Sequence, residues 1–267
     1  MPQNLATIAR EIRKDVLRMH RTGSNVGSAM SVVDILVALY FDVLRIAAPD
    51  DPARDRFVLS KGHAAAALYA TLAQRGWFER SRLVEFLQDG SPLTGHPTLG
   101  GVAGVEVSTG SLGHGLPIAV GLALGSGDRP RPFRIFVLMG CGEMQEGSVW
   151  EGLMLASRLG LDRIVAIVDA NNLQGYERTE NIQPISGLPA KLTAFGWSVR
   201  EADGHNLEEL GRVLGDVPFE PGKPSALIAH TLMGKGVSEM EDRLEWHYFN
   251  VSDEKLDRFL AELDGET

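Results

Sequence analysis

The sequence predicts an α/β fold: an open, mostly parallel sheet with helices on both faces. Four short apolar runs carry that prediction, at residues 57–59, 135–139, 164–168 and 226–229. They are continuous rather than alternating, as strands covered on both faces must be. Segments of helical periodicity separate most of them, and strand–helix alternation is the pattern of parallel strands joined by crossovers. Polar or glycine-bearing segments then follow the runs: Ser60-Lys61-Gly62-His63, Gly140-Cys141-Gly142-Glu143, and Asp169-Ala170-Asn171-Asn172. In such sheets, ligands bind beyond the carboxyl ends of the strands, so these segments are the informative ones.

Taken in order, Leu5, Ile8, Ile12, Val16 and Met19 recur at helical spacing and predict an amphipathic first helix. A polar loop covers 22–28, and Ser31 is placed to cap a helix through Val33, Leu36, Leu39 and Tyr40. Further helices are expected over 64–74, 116–124, 149–159, 189–195 and 207–214, with a weaker fifth strand at 197–199. A capped helix from Ser252 to about 263 closes the chain. No internal repeat, low-complexity tract or linker interrupts this order, so one domain over 1–267 is expected.

Composition removes several classes of function. The chain has 26 Lys+Arg against 35 Asp+Glu, a net charge of −9, which argues against a general nucleic-acid binder. Its 1 cysteine excludes an intramolecular disulfide framework and any multi-cysteine metal site. The N-terminus lacks a basic stretch followed by an apolar core, and no apolar run approaches the roughly 18 residues a membrane helix needs. A cytoplasmic protein with no membrane partner is expected.

Gly140-x-Gly142 leading into a helix can present backbone N–H groups to a phosphate, but a tight strand-to-helix turn explains it equally well. The third glycine of the dinucleotide fingerprint is replaced by Gln145, and no P-loop occurs. Asn171-Asn172 end the next strand 31 residues after Gly140. That order resembles the thiamine diphosphate motif, Gly-Asp-Gly followed at similar distance by Asn. Further segments resemble the N-terminal half of transketolase. They are 55–63 with His63, Thr94-Gly95-His96-Pro97, 104–115 with Gly110-Ser111-Leu112, 142–151 with Glu146, and Trp246-His247. The chain is therefore identified as resembling that family over residues 5–250.

The resemblance implies the thiamine diphosphate-binding fold and transfer of a two-carbon ketol unit from a ketose to an aldose-type acceptor. Because the chain stops near the end of the first family domain, it implies the first half of a split enzyme. A second subunit would carry the pyrimidine-binding and C-terminal domains, in a heterotetramer. The partner would supply the glutamate that activates the cofactor's aminopyrimidine, so the isolated chain is expected to be inactive. By the same resemblance His63, His96 and His247 line the substrate channel, Gly110, Ser111 and Leu112 contact the aminopyrimidine, and Gly142 and Glu143 belong to the diphosphate end. Asn171 and the carbonyl of Leu173 match Mg²⁺ ligands, and Glu146 matches the carboxylate that meets the partner's glutamate. His20, His205 and His230 match no catalytic position.

Two departures from the family pattern bear on chemistry. The metal-ligating aspartate of Gly-Asp-Gly is Cys141 here, and a thiol is a poor match to Mg²⁺. Three consequences stay open: weaker cofactor binding through Asn171 and Leu173, a preference for a softer ion such as Mn²⁺ or a specialised geometry, or loss of catalysis. In the first loop, the position of a family histidine falls on Asn25, or on Ser24 with a one-residue shift; either way no titratable group is present to shuttle protons. Tyr248 replaces a glycine after the channel histidine and is expected to narrow the entrance. Two rival readings accompany the enzyme: a catalytically impaired scaffold that stabilises its partner, and a nucleotide-binding oxidoreductase with Asp169 as its ribose-binding acid.

Overall fold

The computed structural model describes residues 4–21, 23–127 and 132–265. Residues 1–3, part of the N-terminal stretch read for a leader, and Thr22 of the first loop lie outside the described residues. The strands are β1 (Arg56–Leu59), β2 (Ile135–Gly140), β3 (Ile164–Ala170), β4 (Ser198–Asp203) and β5 (Ser225–His230). They form one 5-stranded sheet in the order β1-β2-β3-β5-β4, with every pair parallel. All carboxyl ends therefore open on one edge, as the apolar runs and their trailing polar segments imply.

Side-chain alternation along each strand divides the core in two. Phe57, Leu59, Phe136, Leu138, Val165 and Ile167 face one helical layer. It comprises α1 (Leu5–Met19), α2 (Val26–Ser31), α3 (Val33–Ala38), α4 (Ala65–Gln74), α9 (Leu207–Gly215) and α10 (Asp253–Asp264). Val58, Ile135, Val137, Met139, Ala166 and Val168 face the other, formed by α5 (Gly115–Gly125), α6 (Gly147–Arg158) and α8 (Leu188–Ala194). A short helix, α7 (Thr179–Ile182), follows the loop after β3. Each fully buried aliphatic or aromatic side chain contributes about 1.5–3 kcal/mol. These two cores thus hold the loops at the strand ends in fixed relation.

Three local expectations are corrected. Ser31 does not cap a helix; it ends α2, and its hydroxyl lies 3.0 Å from the carbonyl of Ser28 and 2.8 Å from Asp169. The helix that begins at Val33 has Val32 at its N-cap, and the preceding α2 has Asn25, at φ +71°, a left-handed conformation that Asn tolerates better than most residues; neither makes a side-chain capping bond. The turn after Gly142 does not run straight into the helix, because a 3₁₀ turn over Glu143–Gln145 intervenes and α6 begins at Gly147. Ser252 does occupy the N-cap position of α10, but its side chain makes no capping hydrogen bond.

Candidate active site at the strand ends

A cavity of about 400 Å³ lies beyond the carboxyl ends of β1, β2 and β3. It is lined by Lys61 and His63 after β1, Gly142 and Cys141 after β2, and Asn171, Leu173 and Gln174 after β3. His247, Leu112, Glu146 and Glu143 complete much of its wall. A neighbouring cavity of about 440 Å³ shares Cys141 but is lined largely by Met144, Trp150, Ile185 and Leu188 and contains none of the histidines. The first gathers the segments that follow three strands together with two histidines, and is therefore the candidate site.

Glycines let the loops close. A Cβ on Gly62 would stand 2.9 Å from the backbone nitrogen of Gly110, so the segments after β1 and before α5 meet backbone to backbone. Gly113 has φ +85°, and a Cβ there would stand 2.6 Å from both Glu146 Cβ and Ser148 Oγ. Glu143 links the same loops. Its buried carboxylate accepts hydrogen bonds from Ser60 Oγ, from the Gly113 N–H at 2.8 Å and from the Gly140 N–H at 3.1 Å. Burial pushes this carboxyl up from its ordinary range, against those donors. Both its oxygens are engaged by the protein, so its side chain braces the loops rather than facing a ligand.

The histidines sit close together. His63 Nε2 is 3.2 Å from Ser28 Oγ, and the His63 and His247 ring centroids are 5.8 Å apart. Burial lowers the pKa of both, and the Lys61 ammonium lowers both further. They are therefore neutral near pH 7, with nitrogens able to accept as well as donate. His247 Nδ1 is buried without a hydrogen-bond partner, as is Gln174 Nε2, so the cavity holds polar atoms that a bound ligand would satisfy. His96 is exposed, and its ring covers Gly110: a Cβ there would stand 3.1 Å from His96 Cδ2. Ser111 is exposed beside Leu112. Glu146 is the N-cap of α6, exposed on the rim, with no side-chain partner among the described residues.

Asp169 organises the floor. It is fully buried, and its Oδ2 lies 2.5 Å from Lys61 Nζ, 2.8 Å from Ser31 Oγ and 2.9 Å from Asn171 Nδ2. Its Oδ1 accepts from Thr231 Oγ1. This enclosure removes the oxidoreductase reading, since no face of the carboxylate is left for a ribose. By taking the Asn171 amino group, Asp169 turns the Asn171 Oδ1 toward Cys141 Sγ, 3.7 Å away. The Leu173 carbonyl is 3.6 Å from that sulfur and Thr179 Oγ1 is 3.1 Å from it. Burial pushes the Cys141 thiol up, so on its own it is neutral.

The departures noted above are tied to residues that line the cavity. The Asn25 N–H donates to the His247 carbonyl at 3.0 Å, tying the first loop to the histidine segment. Tyr248 packs at a tilt beside His247, with centroids 5.2 Å apart, and its hydroxyl donates to the carbonyl of Gly175, a residue of the cavity wall. The remaining histidines keep to structure. His20 is buried against the Val16 carbonyl, His205 joins Asp34, and His230 is exposed beside Glu201. Sequence reasoning assigned no role to Lys61, Ser28, Gln174 or Thr179. The one available signal was a strand ending in Asp169, because a buried carboxylate requires a cationic or multiply donating partner.

A parallel sheet whose carboxyl ends gather a glycine-lined cavity, neutral histidines and a cluster of fixed oxygen donors defines a phosphate-bearing-cofactor domain of an α/β enzyme. Residues 2–263 match the family described as "Transketolase, thiamine diphosphate binding domain", and the chain belongs to that family. It is 40% identical over 242 residues to one subunit of the apulose-4-phosphate transketolase of Phocaeicola vulgatus, covering 90% of this chain and 85% of that one. It is 36% identical over 266 residues to the 6-deoxy-6-sulfo-D-fructose transketolase subunit SqwG of Clostridium sp., covering 99% of this chain and 96% of that one. The solved transketolase of Leishmania mexicana superposes with a TM-score of 0.89 at 29% identity, covering 99% of this chain and 42% of that one. The chain thus spans about two fifths of that transketolase and most of the length of the split subunits. Among the described residues no helix is long and apolar enough to cross a membrane.

Proposed function

We propose that this chain is the thiamine diphosphate-binding subunit of a two-component transketolase-type enzyme, which moves a two-carbon ketol unit from a ketose to an aldose-type acceptor. The observation that carries the reading is the half-built site. The cavity is lined by Gly142, Asn171 and Leu173, which would take the diphosphate end, and by His63 and His247, while Glu146 stands exposed on it without a side-chain partner among the described residues. A carboxylate so placed suits contact with an acidic activating group from a second subunit, as the family resemblance implies. Leu124 on α5 and Met154, Leu155 and Leu159 at α6 are exposed on neighbouring helices, an apolar surface that suits such a partner. The partner would carry the pyrimidine-binding and C-terminal domains in a heterotetramer, and activity would depend on it.

The residues fit the organic cofactor. The missing Cβ atoms of Gly142 and Gly110 let the Gln174 and His96 side chains pack against them, and Gln174 Nε2 and His247 Nδ1 are unpartnered polar atoms at the wall. Bound thiamine diphosphate would supply the electron sink for cleaving and forming the bond next to a carbonyl. This chain's own work is orientation and proton handling. Gly110, Ser111 and Leu112 would contact the aminopyrimidine, while Gly142 would approach the diphosphate. Neutral His63 and His247, with His96 at the outer end, would hydrogen-bond substrate hydroxyls and move protons. Asn25 holds the His247 carbonyl but adds no titratable group, which favours substrates other than the common sugar phosphates. Tyr248 narrows the approach.

The cation is where the fit fails. Mg²⁺ takes near-octahedral oxygen donors, which Asn171 and Leu173 supply and the Cys141 thiol does not; Mn²⁺ shares most of that preference. The test of function is co-purification with the partner subunit, followed by calorimetric titration of thiamine diphosphate with each divalent cation. Binding of the cofactor and ketol transfer by the complex, with none by the isolated chain, are the expected results. No cofactor binding with any cation would refute the enzyme reading and leave the scaffold.

A further inference from the structure

A chain of hydrogen bonds joins the buried floor of the cavity to His63. The Lys61 ammonium has three N–H groups and finds three acceptors: Asp169 Oδ2 at 2.5 Å, and the carbonyl oxygen and Oγ of Ser28, each at 3.3 Å. An ammonium donates and never accepts, so Ser28 Oγ receives a hydrogen bond from that side. Ser28 is itself buried, and its Oγ lies 3.2 Å from His63 Nε2. Among the described residues its Oγ has no other partner, so the acceptor open to the Ser28 O–H is His63 Nε2. The opposite direction would leave a buried hydroxyl proton with no acceptor, which is unfavourable. A neutral imidazole whose Nε2 accepts carries its hydrogen on Nδ1. That nitrogen makes no hydrogen bond among the described residues, and His63 lines the cavity.

We propose that Lys61, acting through Ser28, is a positioning residue that fixes His63 as the Nδ1–H tautomer, so that His63 offers the substrate a hydrogen-bond donor and not a base. Asp169 pairs with the Lys61 ammonium and so sets the direction of every bond along the chain. The Nδ1–H would hold an oxygen of the ketose, since a neutral imidazole can polarise a carbonyl without giving up its proton. No bond to hydrogen breaks at His63, and proton movement falls to other groups of the site, His247 among them. The proposal rests on the transketolase-type reading and deepens it by giving the two histidines different work.

The test labels the histidines of the full chain with ¹⁵N and reads by NMR which ring nitrogen carries hydrogen, at about pH 8 where histidine is neutral. Among the 7 histidines, the signals of His63 are those lost in His63→Asn. Nδ1–H is expected in the unaltered chain, and a mixture of both tautomers in Ser28→Ala and in Lys61→Met, with the other histidine signals in place. Ser28→Ala leaves the Lys61–Asp169 pair intact, which separates the hydrogen-bond chain from the stability of the floor. Nε2–H in the unaltered chain, or a tautomer unmoved in either variant, overturns the proposal. Kinetics of the complex with its partner then read the donor. An Asn amide places its N–H close to the position of a histidine Nδ1, and a Gln amide close to that of Nε2. His63→Asn should therefore retain kcat/KM within about tenfold, while His63→Gln should lose about a hundredfold. Equal losses of about a hundredfold or more in both overturn the donor role, because neither amide can replace a base. Absence of ketol transfer by the unaltered complex refutes the functional reading instead, and the nitrogen signals still decide the tautomer.

Discussion

Replacing Asp169 probes the group on which the floor of the site depends. Its carboxylate and the Lys61 ammonium are 2.5 Å apart, with side-chain exposures of 0% and 1%. Asp169→Ala leaves the ammonium buried near only the carbonyl and hydroxyl of Ser28, each 3.3 Å away. Breaking a buried pair in this way costs about 3–5 kcal/mol. Two neutral donors, on Asn171 and Thr231, lose their acceptor at the same time, while Ser31 keeps the Ser28 carbonyl, so the upper part of that range is expected. Against a typical stability of about 5–15 kcal/mol this is a third or more of the total. Urea unfolding followed by circular dichroism reads it as a lowered midpoint at unchanged slope. With Lys61→Met and Lys61→Met/Asp169→Ala the cycle is complete: the double variant removes both charges and should lose less than the sum of the two single variants, a coupling energy of about 2 kcal/mol or more. An Asp169→Ala midpoint within about 0.5 kcal/mol of the unaltered chain, or strict additivity in the double variant, would refute the reasoning.

Gly113→Ala combines a left-handed backbone with two 2.6 Å approaches to the first turn of α6; it should lose about 1–3 kcal/mol and displace Glu146, read by thermal unfolding and by weaker association with the partner. His20, buried against Val16, has its pKa lowered from 6.5 to about 4. A depressed histidine leaves stability intact above the unfolded value and erodes it as pH falls toward the folded one, so about 2 kcal/mol should disappear between pH 7.5 and 5. His20→Gln should flatten the stability–pH profile by that amount, and an unchanged profile would show that His20 is not buried neutral. Tyr248→Phe removes the hydroxyl bridge to Gly175 at an exposed position, so stability should move by no more than about 0.5 kcal/mol. In the complex, its KM should change several-fold more than its kcat; equal changes in both would place Tyr248 in the chemistry rather than at the mouth.

Much of the fold is legible in the chain because the relevant physics is local. Continuous runs such as Ile135-Phe136-Val137-Leu138-Met139 have no polar face to present, so they become strands covered on both sides. The helix from Leu5 to Met19 follows from its apolar spacing in the same way. The turn chemistry was less legible. Ser31 has the residue type of a cap but serves a carboxylate 138 positions away, and Gly140-Cys141-Gly142 is followed by a 3₁₀ turn that periodicity does not signal. Motif order, from His63 through His247, named the family because the glycines and histidines at the strand ends occur in sequence as the sheet presents them.

What the sequence determined by itself is therefore the layered sheet, the family, and the substitution of a thiol at residue 141. Only the tertiary structure decided what that substitution faces. Pairings such as Lys61 with Asp169, 108 positions apart, and Cys141 with Leu173, 32 apart, depend on the strand order that sets β1, β2 and β3 side by side. Orientation depends on it too. The Asn171 carbonyl oxygen faces the sulfur because its amino group is held by Asp169, whose charge is in turn compensated by Lys61. Buried polar groups find partners wherever the fold brings them, since an unpaired one costs about 1–3 kcal/mol and a charged one more. Those pairings, invisible to any local pattern, set the surroundings of the thiol at residue 141.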